Sequence, residues 1–352
     1  MNSEPVPTGL LTRLSHLVHR YFIGFLISSY IFAGFFPCFG EWLRRISLGH
    51  ASAFGETTSL SLTMVLLAVL LLNASLSLEK IRDLIRSPQL LLAGLGANLL
   101  LPIIVLYFAS FLLTVGGTPE HLQAIIVALA LLSTVPVAGA STAYTQNTDG
   151  DVPLAVGLVL LSILFSPWLI PISLHFINVV AIGDYTPALT QLKGGAPTLV
   201  LLLSVLLPSL LGLGLRPLLG AHRIQSAKPT LKLTNSICLL LLNYTNASIA
   251  LPQVFASPDW GFLIIALTFA ILLCSVDFLA GWWLGRLLKA KTSQCYALMF
   301  GVGMNNNGTA LVLASLAFVN QPKILVPIIL YNLVQNLIAS GASHLSSSAS
   351  ST

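Results

Sequence analysis

The sequence predicts an all-α polytopic membrane protein of ten transmembrane helices, built as a 5+5 inverted repeat in which spans four and nine are interrupted. Three observations predict it. The 352 residues are 56% hydrophobic and 8% charged, against roughly 25% charged residues in an average soluble protein. Ten apolar segments are each long enough to cross a bilayer, for which about 20 residues are needed. Two polar, glycine-containing stretches, PVAGASTAYTQNTDGD (136–151) and GVGMNNNGT (301–309), occupy the fourth and ninth of those segments.

Taken in order, the candidate spans are 21–39, 58–77, 88–113, 122–147, 152–177, 197–219, 233–255, 260–288, 294–318 and 323–343. Residues 1–20 lack an apolar core and a small-residue cleavage site, so they read as a cytoplasmic segment able to form a short surface helix. The first repeat covers 21–177, an external linker 178–196, and the second repeat 197–343. The Ser-rich end, 344–352, reads as a disordered tail. Loop charge supports this count. With the N-terminus inside, the cytoplasmic side holds Arg13, Arg20, Lys80, Arg82, Arg86, Arg216, Arg223, Lys228, Lys232, Arg286, Lys289 and Lys291, which is 12 of the 16 basic residues. That bias places both termini in the cytoplasm. The expected location is the inner (plasma) membrane of a bacterium.

Five spans per half reverse the orientation of the second half, the plan of many secondary transporters. Glycine permits an unwound turn, and released backbone groups at membrane depth must be satisfied by protein or line a wet cavity. Gly139 and Gly303 are expected to permit the two breaks. Ser141, Thr142, Asn305, Asn306, Asn307 and Thr309 then offer oxygens to freed backbone, to an ion or to a substrate. Ser162 and Ser204 read as packing residues.

Asp277 is an acid deep inside span eight, flanked by LLCSV and FLAGWW. An intramembrane acid is a functional hypothesis by default. It would bind sodium with the asparagine cluster, or carry a proton. The alternative is a neutral, hydrogen-bonded structural Asp.

The positive balance, +5 with a pI near 9.1, lies in short loops and does not imply nucleic acid. Cys38, Cys238, Cys274 and Cys295 form no CxxC pair and read as buried hydrophobes. The seven histidines show no ligand spacing, no GxxxxGK[ST] motif is present, and no acid–base–nucleophile set converges. A catalytic site and a cofactor are not expected, sodium apart. Asp149-Gly150-Asp151 reads as a turn, with an Asp capping the next helix.

These motifs carry a resemblance to the bile acid:sodium symporter family, over most of the ten-span region. MVLLAVLLLNASLSLEKIRDLIRSPQLLLAGLGANLLLPI (64–103) resembles its second and third spans. Residues 136–167 resemble its fourth-span motif, typically PGGTASN, and GVGMNNNGTALVLASLAF (301–318) resembles the ninth-span EVGMQNSGLAVALA. The resemblance implies a panel of spans 1, 2, 6 and 7 and a core of the others, with spans 4 and 9 crossing near the bilayer centre. It implies secondary active transport of small organic anions, such as bile acids or other organic acids, with sodium, in the cleft beside that crossing. Carried over residue by residue, the ion site would use Ser141, Thr142, Val302, Met304 and Asn305, with Asp277 added from the residue reading. The substrate would meet Gly139, Asn306, Asn307, Thr309 and Asn98. The chain departs from the pattern in three places. Gly301 stands where the family has its sodium-binding Glu, Ala155 and Val159 stand where hydroxyl residues help, and Ala97-Asn98 stands where a Gln is expected. Rival readings are proton coupling through Asp277 or uncoupled transport in the same fold, a non-transporting membrane sensor, and an intramembrane enzyme.

Overall fold

The computed structural model describes residues 21–53, 56–76, 87–116, 120–180, 202–319 and 321–349, with Leu14, Leu17 and Val18. The basic loop at 77–86 and most of the linker expected at 178–196 lie outside the described residues, as does nearly all of the expected N-terminal segment.

The described residues are helical apart from one hairpin and the short stretches between helices. Helix α1 (Phe22–Phe35) stops at Phe36, and Pro37 opens α2 (Pro37–Arg45). Proline suits a first turn, where its missing N–H has no partner to lose. The two pieces bend by 92°, so the expected first span, 21–39, is a helix to Phe35 and then a turned helix. Strands β1 (Ser47–Ala53) and β2 (Glu56–Ser61) form an antiparallel hairpin that pairs Ala51 with Thr58 and Ala53 with Glu56. This departs from the all-α expectation. ETTSLS is rich in β-branched and hydroxyl residues, which favour extended backbone over a helix start. Helix α3 (Leu62–Leu76) therefore begins later than the expected 58.

Helix α4 (Pro88–Gly116) runs unbroken through Pro102. Helices α5 (Glu120–Leu132) and α6 (Ala140–Asn147) flank a non-helical stretch, and α7 (Val152–Val180) follows. A π-turn at Leu202–Leu206 leads into α8 (Leu207–Leu219), which Gly220 ends in the left-handed region at φ 77°. Glycine adopts that conformation without steric cost. Helix α9 (Ala221–Ala256) starts well before the expected 233 and carries Arg223 and Lys232 on its first turns. Helix α10 (Trp260–Leu287) is capped by Asp259, whose carboxylate accepts from Phe262 N at 3.0 Å. Helices α11 (Thr292–Gly303) and α12 (Asn307–Ala317) share one apolar segment with a break between them. A 3-10 turn (Pro322–Ile324) opens α13 (Leu325–Ala349), which runs past the boundary expected at 343. No proline follows Leu325–Pro327 to stop it.

Among the described residues, Pro229–Ala256, Trp260–Leu287 and Leu325–Ser343 are each long and apolar enough to cross a membrane, and the bent α1–α2 pair would make a fourth span. Pro88–Leu101, Leu122–Leu132, Val152–Ser166 and Leu210–Leu219 are shorter apolar helices. Helix α10 shows the reversed polarity of a lipid-facing surface: Ile264, Leu272, Leu279 and Trp283 are exposed, while Asp277 is fully buried.

One large apolar cluster joins α1, α3, α5, α7 and α9–α13. A smaller one, built on Leu90, Leu91, Leu154, Ala155, Leu158, Ala297 and Leu298, lies between α4, α7 and α11. Helix α10 packs closely on α11 at Gly281. A Cβ at Gly281 would collide with the Leu298 carbonyl oxygen and stand 2.8 Å from Met299 Cα. Backbone, unlike a side-chain tip, cannot yield cheaply. Gly281→Ala is expected to destabilise the fold by about 1–3 kcal/mol and lower the detergent melting temperature. Gly96→Ala, which meets nothing within 4 Å, should leave it unchanged. Equal melting of the two variants would show that this contact does not limit packing.

Candidate functional site

The site begins where two helices stop. Helix α5 ends at Leu132 and α6 starts at Ala140; α11 ends at Gly303 and α12 starts at Asn307. The two intervening stretches run antiparallel. Val137 pairs with Asn305, Ala138 N donates to Met304 O at 2.8 Å, and Asn306 N donates to Pro136 O at 2.9 Å. Each break thus supplies the hydrogen-bond partners that the other has lost.

Side chains complete the accounting. Gln335 of α13 accepts from Asn305 N at 2.9 Å and donates to Asn305 O at 3.2 Å, acting as a surrogate strand. Ser162 of α7 accepts from Val137 N at 3.0 Å and donates to Val159 O at 2.8 Å. Ser162 is therefore more than the packing residue expected from sequence. Asn306 caps α12 by accepting from Thr309 N at 3.2 Å.

The glycines do something other than expected. Gly139 has φ −59° and ψ −28°, ordinary right-handed values, and Gly303 is the last residue of α11. Among the described residues the positive-φ glycines are Gly49 and Gly220. Gly303 is instead needed for space, because a Cβ there would strike the Phe278 ring.

A polar chain leads away from the crossing. Asn98 Nδ2 donates to Val302 O at 3.3 Å and to Asn305 Oδ1 at 3.1 Å. Asn305 Nδ2 donates to the Tyr331 hydroxyl at 3.3 Å, and that hydroxyl donates to Asp277 Oδ2 at 3.3 Å. Both of these last contacts are long for hydrogen bonds of their kind. Every donor in the chain points toward the carboxyl. Asp277 is fully buried, and its Oδ1 has no hydrogen-bond partner among the described residues. No described basic side chain lies within ion-pair distance of it.

A second network runs the other way. Asn307 Nδ2 donates to Asn332 Oδ1 at 2.8 Å, and Asn332 Nδ2 donates to Tyr30 OH and Asn243 Oδ1, each at 2.8 Å. Tyr30 OH also donates to Asn243 Oδ1 at 2.8 Å, and Asn243 Nδ2 donates to Leu239 O at 2.7 Å.

The structure therefore joins Asn98, Val302, Asn305 and, through Tyr331, Asp277. The Met304 carbonyl is nearby but already accepts from Ala138 N. Thr142 is half-buried and donates to Gly139 O at 2.8 Å. Ser141 is buried, and no hydrogen bond ties it to the Asn305 group; its Oγ, Asn307 Oδ1 and Thr309 Oγ1 have no partner among the described residues. At Gly301 an added Cβ would collide with Leu158, and Ala155 and Val159 are buried in apolar packing. Sequence reasoning missed Tyr331, Gln335, Asn332, Asn243 and Tyr30. A signal existed: Asn332, Gln335 and Asn336 recur three and four residues apart, one polar stripe on an otherwise apolar helix.

Profile comparison settles the kinship. The description "SBF-like CPA transporter family" matches residues 20–345. The chain belongs to the SBF-like CPA transporter family. It is an integral multi-pass membrane protein of a transporter family. Among curated proteins it is similar to the uncharacterized protein YbaS of Bacillus subtilis (strain 168), with 26% identity over 214 residues. That alignment spans 61% of this chain and 66% of YbaS.

The geometry makes Gln335 the keystone of the SBF-like crossing. Gln335→Leu keeps roughly the volume but leaves Asn305 N unpaired in a buried site and Asn305 O with only its bond from Asn307 N, which is expected to cost about 1–3 kcal/mol. The check is thermal unfolding in detergent, and a variant that melts like the parent would remove Gln335 from this role.

Proposed function

We propose that the protein is a secondary active transporter of small organic anions, coupled to sodium, working by alternating access between a panel and a core. In this reading the ten spans form two inverted repeats. The panel comprises α1–α3 with α8 and α9; α4–α7 and α10–α13 form the core. Both termini face the cytoplasm of a bacterial cell.

The observation that carries the reading is the buried Asp277 and its link, through Tyr331 and Asn305, to the crossing. An unpaired charge in a low-dielectric interior costs several kcal/mol or more. A transporter resolves this by letting a cation join the acid at one stage of its cycle. Sodium prefers hard oxygen ligands, and Asp277 Oδ1, Ser141 Oγ, the Val302 and Met304 carbonyls, Asn305 and Thr142 are the candidate donors. The anion is favoured at the N-termini of α6 and α12, which start on either side of the crossing and carry the positive ends of their helix dipoles. Gly139, Asn306, Asn307, Thr309 and Asn98 are the proposed contacts.

Proton coupling through Asp277 is the second reading. Its support is the apolar packing of Leu158 against Gly301, where the resembled family places a sodium-binding Glu. A proton needs one acid and no oxygen cage.

Uptake into proteoliposomes of a labelled bile acid and of labelled short monocarboxylates tests both. A sodium gradient is expected to raise uptake at least several-fold in the parent and not in Asp277→Asn. Uptake driven by a pH gradient without sodium, and lost in the same variant, would select the proton. Uptake indifferent to both gradients and to the substitution would remove coupling through Asp277.

A further inference from the structure

Helix α12 ends without a cation of its own. Its last turn holds no basic residue, although the carbonyl end of a helix favours positive charge. Phe318 N donates to Ala314 O, and the next carbonyl, Ser315 O, accepts no backbone hydrogen bond among the described residues. Its partner comes from another element. Arg44, in the last turn of α2, donates from Nη2 to Ser315 O at 3.1 Å.

Arg44 and Arg45 stand side by side and do different things. Arg45 is exposed and lies 3.9 Å from Glu41. Arg44 is half-buried, and no carboxylate among the described side chains lies within ion-pair distance of it. A guanidinium presents five N–H donors in a planar fork that matches a carboxylate. The Ser315 carbonyl offers that fork one oxygen and a partial charge. A carboxylate offers two oxygens and a full charge, and charge-assisted bonds of this kind are about twice as strong as neutral ones. An anion that reaches Arg44 therefore outcompetes the contact already there.

The contact also joins two bodies. Helix α2 belongs to the panel and α12 to the core in the reading above, on which this inference rests. The loop charges leave Arg44 on the outer side, where span nine ends. Helix α12 has 11 residues, so it is about 16 Å long. Its N-terminus lies at the crossing, where the anion is expected, and its C-terminus is the end that Arg44 holds.

We propose that Arg44 is an anion-released latch on the outer gate. It holds the panel to the end of α12 until a carboxylate arriving from outside takes the guanidinium and frees the helix. Arg44 is then the first charged contact of the incoming anion, and release of α12 opens the way to its N-terminal end.

Thiol labelling of the purified full-length protein in detergent tests the latch without transport. The reference protein carries Cys38→Ser, which removes the exposed cysteine, and Ser315→Cys, which keeps the carbonyl that Arg44 holds. Ser315 is only 8% exposed, so a maleimide should react slowly there. Sodium glycocholate below its micellar range, or sodium acetate, is expected to speed labelling about fivefold over sodium chloride at equal ionic strength, the factor for a helix-terminal cation of ordinary strength. Arg44→Gln should label at that faster rate in chloride alone and respond to neither carboxylate. Loss of a neighbouring cation by itself makes a thiol less reactive, so a faster rate reports opening. If Arg44→Gln fails to fold, Arg44→Lys keeps the charge without the fork and should need several-fold more carboxylate for the same effect. Labelling indifferent to carboxylate in the reference protein, a response that survives in Arg44→Gln, or an unchanged rate in that variant would overturn the latch. Labelling that responds as expected, with no uptake of either anion by proteoliposomes, would keep the latch and count against the transport reading.

Discussion

The constraint behind the rest of the molecule is that a peptide group freed from its helix inside a membrane protein must find another partner. Water is not at hand in the hydrocarbon, and each unsatisfied group costs several kcal/mol. This chain frees two stretches and pairs them with each other, through Ala138 N–H to Met304 O and Asn306 N–H to Pro136 O. Two such bonds cannot cover both breaks, so neighbouring helices send in side chains. Gln335 takes both backbone groups of Asn305, and Ser162 takes Val137 N–H. The polar residues of this apolar protein are thus concentrated where the backbone demands them. The ion and substrate chemistry proposed for the crossing uses what those residues have left over.

What they have left over has a definite sense. Asn243 Nδ2 is held by the carbonyl of Leu239, so its Oδ1 must accept. That forces Asn332 to donate with Nδ2 and accept with Oδ1, and forces Asn307 to donate with Nδ2. The amide orientations follow from one backbone carbonyl, and the open end of the network is the Asn307 oxygen. Two of its bonds, from Asn332 to Tyr30 and to Asn243, join α13 to α1 and α9. Interhelical hydrogen bonds in membrane proteins average about 0.6 kcal/mol each. Two of them bias the proposed core against the proposed panel without freezing it, a strength suited to a contact that must open in every cycle.

The helices were legible because apolar segments of about 20 residues have few alternatives, and the two interruptions because Pro, Gly and amides cluster there. The hairpin at 47–61 was not legible, since its residues are neither apolar enough for a span nor sharply alternating. The breaks were located for a partly mistaken reason. Gly139 is right-handed and Gly303 makes room for Phe278, while the pairing of Pro136–Ala138 with Met304–Asn306 holds the extended backbone. Around the crossing, Asn305 and Asp277 could be named from their types and depth, and Asn98 through the family resemblance. Tyr331 and Gln335, which connect and support them, could not. Their partners lie 26 to 54 residues away, and no local pattern marks which polar residue on a buried stripe reaches across to another helix.

The same contacts account for the most conspicuous departure from the resembled family. A carboxylate at position 301 would project into Leu158, within a cluster of Ala155, Ala297 and Leu298. Ionised there without a cation, it would bear the full cost of burial, and space for a cation would require Leu158 to leave. Asp277 reaches the crossing from α10 instead, with Tyr331 between it and Asn305. The hydrogen bonds from Asn98 through Asn305 and Tyr331 all point their donors at that acid, an alignment that favours negative charge at its end and strengthens when the charge develops. A carboxylate so placed senses the geometry of the crossing through Asn305. Any motion that pulls Asn305 away from Tyr331 weakens the support for the bare charge. The proposed coupling therefore needs no contact between cation and substrate, because the crossing itself carries the energetic link between the acid and the helix ends where the anion is expected.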